Sequence, residues 1–199
     1  TPDNPKLHFH DMTPYQKFLV EKYGINDEPS VTHKELYFDI EIEMGEALTE
    51  EYIKSAPKKV TSIAWYDRQV DQWGILILDA KGKMLHTKSK NKEIIPVRTE
   101  DELLMKFIER FREIDPDIIV GWNSDYFDIP YLYYRICNVL GEDIARYLSP
   151  IGYVRETPWY KDQFIQIAGV ESLDYMRLHK KFSWADEPSF KLDAIGEKY

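Results

Sequence analysis

Hydrophobic positions change period several times along the chain, and each period predicts an element. Residues 36–42 alternate without a break: Leu36, Phe38, Ile40 and Ile42 fall on one face, Tyr37, Asp39, Glu41 and Glu43 on the other. Side chains two apart on a strand point the same way, so this is a half-buried strand. Residues 60–66 and 73–78, rich in β-branched and aromatic types, predict two more, with a turn over 67–71 that makes the three a meander. Thr99 followed three residues later by Glu102 predicts a capping box. Leu103, Leu104, Phe107, Ile108 and Phe111 then form the apolar stripe of a helix ended by Asp115-Pro116-Asp117. The short apolar run 118–122 predicts a buried strand, which a crossover helix allows to lie parallel to the first. A second helix is expected from near Pro130 to Leu140, with Gly141 as its stop.

The flanks are less regular. Thr13 as N-cap, Pro14 at the first position and Gly24 as stop predict a helix in which Tyr15, Phe18, Leu19 and Tyr23 share one face. Polar residues 26–33, with Pro29, read as a linker. Residues 1–34 are therefore expected to be the tail of a preceding domain or an arm, and 35–199 the main domain. Residues 153–155 and 164–168 flank a turn-like stretch and predict a hairpin. Residues 173–178 fit either strand or helix, and Ser189 reads as the cap of a last helix. The order of elements predicts an α/β fold with a mixed sheet flanked by helices and an added β-hairpin, the order of ribonuclease-H-like folds.

Composition narrows the function. The chain has 199 residues, 43% hydrophobic and 31% charged, with no apolar run long enough to span a bilayer. A cytoplasmic protein is expected. The single cysteine, Cys137, excludes an internal disulfide and falls on the core side of the second helix. The formal net charge of −9 is the wrong sign for a protein that grips phosphates by itself. Such a chain either avoids nucleic acid or brings metal cations to it. Lys81, Lys83, Lys88, Lys90 and Lys92 form a basic stretch that reads as a solvated loop or a phosphate contact, and His8 and His10 form a pair with no partner ligands.

The acids carry the candidate chemistry. Asp39 and Glu41 stand on one strand face about 7 Å apart. They form either a solvated acidic face or, since like charges repel unless a cation satisfies them, a site for a hard divalent ion. Asp128 lies in the second constellation, residues 121–131, between a buried strand and a helix, where sites of α/β sheets gather. It caps the helix or joins Asp39 and Glu41. Asp125 reads as a loop acid in solvent. Three converging carboxylates suit two-metal hydrolysis of a phosphodiester.

Phe38-Asp39-Ile40-Glu41 resembles the first exonuclease motif of the proofreading domain of family B DNA polymerases. Asn123, Phe127 and Asp128, within Gly121-Trp122-Asn123 and Asp128-Ile129-Pro130-Tyr131, resemble the second. Within the family the likeness is greatest to the replicative polymerases of T-even-type phages, through Ser149-Pro150-Ile151-Gly152, Lys180-Lys181-Phe182 and Pro188-Ser189-Phe190. It covers residue 35 to the end. The resemblance implies that Asp39 bridges two Mg2+ or Mn2+ ions, that Glu41 binds one and orients water, and that Asp128 serves the other. It implies that Asn123 and Phe127 position the 3′-terminal nucleotides, with Phe127 equally suited to packing, and that Ile40 packs under the site. Trp159 and Tyr160 at the hairpin tip would stack on bases or cover an apolar patch. Asp174 matches an acid of the family and reads as structural. The family's third motif, a Tyr followed four residues later by Asp, does not occur downstream of Asp128 and is expected beyond residue 199, so the segment by itself is expected to cleave weakly or not at all. The implied partners are single-stranded and primer–template DNA, the rest of the polymerase chain and a sliding clamp, in an infected bacterial cell. The rivals are a non-catalytic DNA-binding or scaffold module on the same fold and a free-standing exonuclease.

Overall fold

The computed structural model describes residues 12–24, 32–43, 49–158, 164–183 and 188–198. Most of the expected linker, His8, His10, Trp159 and Tyr160 lie outside the described residues. The chain forms two compact units, Thr1–Thr32 and His33–Tyr199. In the first, helix α1 (Pro14–Tyr23) is closed by a capping box: the Thr13 hydroxyl accepts the Gln16 N–H at 3.2 Å, and the Gln16 side chain accepts the Thr13 N–H at 2.9 Å.

The second unit opens with β1 (Glu35–Ile42), α2 (Glu50–Ser55), β2 (Val60–Asp67), β3 (Gln72–Leu78), β4 (Thr87–Lys88), β5 (Lys92–Val97) and α3 (Glu100–Ile114). It continues with β6 (Ile118–Gly121), α4 (Asp128–Leu140), α5 (Glu142–Ala145), β7 (Val154–Glu156), β8 (Ile165–Ile167), β9 (Glu171–Asp174), α6 (Tyr175–Phe182) and α7 (Leu192–Gly196). Among the described residues the main sheet has the order β4-β5-β3-β2-β1-β6-β9. The meander β1-β2-β3 is antiparallel, and the pairs β3–β5, β1–β6 and β6–β9 are parallel. The sheet is therefore mixed, with β7 and β8 forming a separate antiparallel hairpin.

The differences from expectation are local. The meander is extended by β5, which begins at the last lysine of the stretch read as a solvated loop, and by β4, which lies within that stretch. There Glu93 is buried at 6% exposure, held by His86 at 3.0 Å, Arg110 at 3.5 Å and Lys88 at 3.6 Å. Residues 173–178 split into the end of β9 and the start of α6. Helix α4 begins at Asp128 rather than near Pro130. Glu102 accepts the Arg98 N–H at 3.1 Å instead of closing a box on Thr99, whose hydroxyl still caps α3. Lys191, not Ser189, is the residue before α7, and the Ser189 hydroxyl accepts its N–H. No helix among the described residues is long and apolar enough to cross a membrane.

Alternation along β1 decides the layering. Leu36, Phe38 and Ile40 are buried in the core, where the ring of Phe38 lies 6.1 Å from that of Phe107 on α3. Helix α4 is fixed twice by buried polar groups. Glu100, at the start of α3, accepts two bonds from Arg135 at 2.7 and 2.6 Å and the Val60 N–H at 2.9 Å. The Tyr131 hydroxyl donates to the Lys58 carbonyl at 2.8 Å and accepts the Lys58 N–H at 2.9 Å. A buried charge costs stability unless it is paired and hydrogen-bonded. Here the pairing also determines where the first residue of α4, Asp128, lies.

Candidate active site

Asp39 and Glu41 project from the face of β1 opposite α3, and both are exposed. Their cross-strand partners on β2 are small, Ala64 and Ser62, so neither acid is covered from that side. The β1–β2 register shifts immediately after Glu41, and the Thr61 hydroxyl donates to the Glu41 carbonyl at 3.1 Å. Such a bulge bends the strand and re-aims side chains at its rim.

On its other edge β1 pairs with β6 only through Tyr37. Strand β6 ends at Gly121, and among the described residues no strand pairs with Ile40 on that edge. Asp128 takes that place: its Oδ1 accepts the Ile40 N–H at 3.1 Å. The loop that delivers it is tightly built. Asn123 adopts a left-handed φ of 61°, and its carbonyl accepts the Tyr126 and Phe127 N–H groups at 3.2 and 3.1 Å. The Ser124 carbonyl accepts the Ile129 N–H at 3.0 Å. A Cβ on Gly121 would sit 2.5 Å from the Ser124 Cβ, so only glycine lets fully buried Ser124 fold back against the strand end. The sheet thus brings Asp128 to the β1 segment that bears Asp39 and Glu41, at the carboxyl ends of two parallel strands.

Three acids without counter-charge make a strained electrostatic set. Burial first, and the charge of Asp39 second, push the Asp128 carboxyl up to about 7. The Asp39 carboxyl is raised by loss of surrounding water and then by Glu41. Among the described residues no Lys, Arg or His forms an ion pair with any of the three. Equally, among the described residues no three His, Cys, Asp or Glu side chains gather closely enough to hold a metal ion. The donor chemistry still fits hard divalent cations, which prefer carboxylate oxygen and, for magnesium, commonly take one or two carboxylates and keep several waters. Repulsion that raises carboxyl pKa values is what a cation relieves.

The other predicted residues sort by burial. The Ile40 side chain is 4% exposed and lies in the core, so only its backbone faces the site. Phe127 packs on the core with its ring 5.4 Å from Tyr131. Asn123 is half-buried in the loop. Asp125 is not a solvated acid. It is 3% exposed and accepts from the Ser172 hydroxyl at 2.5 Å and from Arg177 at 2.9 Å. Its partners sit on β9 and α6, far along the chain, and no local pattern reveals them. Sequence reasoning also missed a groove of about 470 Å³ beside Asp39. Register pairs set a row of rings across it: Tyr37 to Tyr66 at 5.8 Å, then Tyr66 stacked on Trp73 at 4.1 Å.

The fold and site define an α/β domain with a mixed sheet and acids at the carboxyl ends of its central strands. This chain belongs to the family described as DNA polymerase family B, exonuclease domain, which matches residues 17–195. It is 37% identical over 137 residues to the DNA-directed DNA polymerase of Escherichia phage RB69, covering 64% of this chain and 15% of that protein. It is 35% identical over 107 residues to the DNA-directed DNA polymerase of Enterobacteria phage T4, covering 52% and 12%. A DNA polymerase of Pyrococcus glycovorans is 30% identical over 126 residues, 63% of this chain and 14% of that protein. The chain therefore spans a small part of the length of the polymerases it matches.

Proposed function

We propose that this chain is the 3′→5′ exonuclease region of a phage-type family B DNA polymerase, built in the ribonuclease-H-like manner, and that it removes 3′-terminal nucleotides from single-stranded DNA. The observation that carries the reading is the bond from the Ile40 N–H to Asp128, which sets a third carboxylate against the strand bearing Asp39 and Glu41. Family membership supports it independently.

Asp39, Glu41 and Asp128 would hold Mg2+ or Mn2+. Such ions, when bound, lower the pKa of water and offset the charge of the scissile phosphate. The chain's own residues do the rest. Asp39 and Glu41 present their carboxylates on an open face, opposite the small Ala64 and Ser62 on β2, so a strand terminus can approach. Glu41 orients the attacking water by accepting its hydrogen bond. Asn123 offers an amide to the terminal nucleotide, and the ring faces in the groove suit the planar faces of unpaired bases. The polymerase activity of the whole protein, its primer–template DNA, a sliding clamp and the cytoplasm of an infected bacterium belong to the same proposal.

The test uses single-stranded DNA labelled at its 5′ end and the full natural chain with Mg2+ or Mn2+. The label should remain on a ladder of products shortened stepwise from the 3′ end. Release of the label as a mononucleotide, or internal nicks, would contradict the reading. A non-catalytic DNA-binding module is favoured by the lack of a gathered three-acid group among the described residues. It predicts DNA retained without any shortening.

A further inference from the structure

We infer that Asp174 is a positioning residue for this site: its buried carboxylate holds the backbone of the loop before α4 and so sets where Asp128 meets the first strand. The inference rests on the exonuclease reading above for its consequence in catalysis.

Asp174 is the last residue of β9, the register partner of Gly121 on β6, and only 4% exposed. A carboxylate offers about four acceptor sites, and backbone N–H groups take four here. Oδ1 accepts the Met176 and Arg177 N–H groups at 2.9 and 3.4 Å, which caps α6. The same oxygen accepts the Asn123 N–H at 3.0 Å, and Oδ2 accepts the Asp125 N–H at 3.3 Å. A helix cap requires only the first two bonds. The other two bind the loop, and the left-handed turn at Asn123 is what aims alternate N–H groups at one anion.

Asp125 reinforces the attachment from its side chain, through Ser172 on β9 and Arg177 on α6. The residues so pinned in turn receive the start of α4: the Asn123 carbonyl takes the Phe127 N–H and the Ser124 carbonyl takes the Ile129 N–H. Asp128 lies between those two amides, and its carboxylate reaches the Ile40 N–H. A continuous series of short bonds thus runs from Asp174 to the centre of β1. Among the described residues Asp174 makes no hydrogen bond to Asp39 or Glu41 and does not line the groove.

Two substitutions separate this role from helix capping. Asp174→Ser keeps a good N-cap for α6 but is too short to reach the loop. Asp174→Asn keeps one acceptor oxygen on Asn123. In the full natural chain, amide hydrogen exchange and single-turnover release of the 3′ nucleotide are measured together. For Asp174→Ser, exchange at Asn123, Asp125 and Ile40 should accelerate at least about tenfold while the β2 amides stay unchanged. The maximal rate should fall roughly tenfold to a hundredfold, the loss expected when a catalytic group moves by about 1 Å, with KM for single-stranded DNA little altered. Asp174→Asn should recover most of both. Unchanged exchange at Ile40 in Asp174→Ser would overturn the inference, and so would an unchanged rate in the presence of excision by the parent protein. A parent protein that releases no 3′ nucleotide sinks the exonuclease reading instead, and exchange at Ile40 still decides whether Asp174 places Asp128.

Discussion

Replacing Asp39 and Glu41 together by Ala should lower 3′-nucleotide release by roughly a thousandfold or more, about 4 kcal/mol of transition-state stabilisation. The expectation follows from where the two acids stand. Both are exposed on the face of β1 that bears them, opposite Ala64 and Ser62 on β2, and among the described residues neither makes an ion pair. Their removal takes away the proposed ligands for divalent ions but no packing. Stability should therefore change by no more than about 0.5 kcal/mol, as for surface substitutions generally, and relief of repulsion near Asp128 favours a small gain. Single-turnover excision and a thermal melt, run side by side, check both halves. Full excision by the double variant would remove the acids from the mechanism. A loss of activity matched by a loss of folding would leave the strand as scaffold only.

Asp128 gives the second large effect, and its sign is set by burial. Its carboxyl is held up to about 7 in the folded chain, against about 3.9 for an unperturbed Asp in the unfolded one. Below pH 4 both forms are protonated and the side chain contributes no pH dependence. Between pH 4 and 7 the unfolded chain loses its proton while the folded chain keeps it. The folded state then binds more protons, so stability falls as pH rises, by up to about 4 kcal/mol in total. Above pH 7 the loss is complete. Asp128→Asn cannot ionise and can still accept the Ile40 N–H. With a chelator present, urea melts should show it more stable than the parent at pH 8 by up to that amount, and equal to it near pH 4. Added Mn2+ at pH 8 should stabilise the parent more than the variant. An equal difference at both pH values would mean that the Asp128 charge is not the cause.

Much of this arrangement was legible because it is local. The period of two in residues 36–42 fixes which side chains of β1 share a face, and that alone pairs Asp39 with Glu41. Thr99 marks the start of α3, and the turn residues around 115–117 mark its end. The parallel placement of β6 follows from the crossover helix between it and the meander. What stayed hidden depends on partners distant in the chain. Asp125 looks like a loop acid until Ser172 and Arg177 are placed beside it. Strand β5 hides because Glu93, a charge at a core position, breaks its alternation, and only His86, Lys88 and Arg110 make that burial tolerable. The groove beside Asp39 depends on cross-strand register, which places Tyr37, Tyr66 and Trp73 in one row. No single segment of sequence contains that register.

If Asp39, Glu41 and Asp128 share a divalent ion site as proposed, paramagnetic Mn2+ bound there must broaden the signals around them before any others. Titrating Mn2+ into the isotope-labelled chain should bleach the amide signals of Asp39, Ile40, Glu41 and Asp128 first, and the Asp39→Ala, Glu41→Ala double variant should lose that pattern. Broadening centred elsewhere, or the same pattern surviving in the double variant, would show that these three acids do not hold the ion.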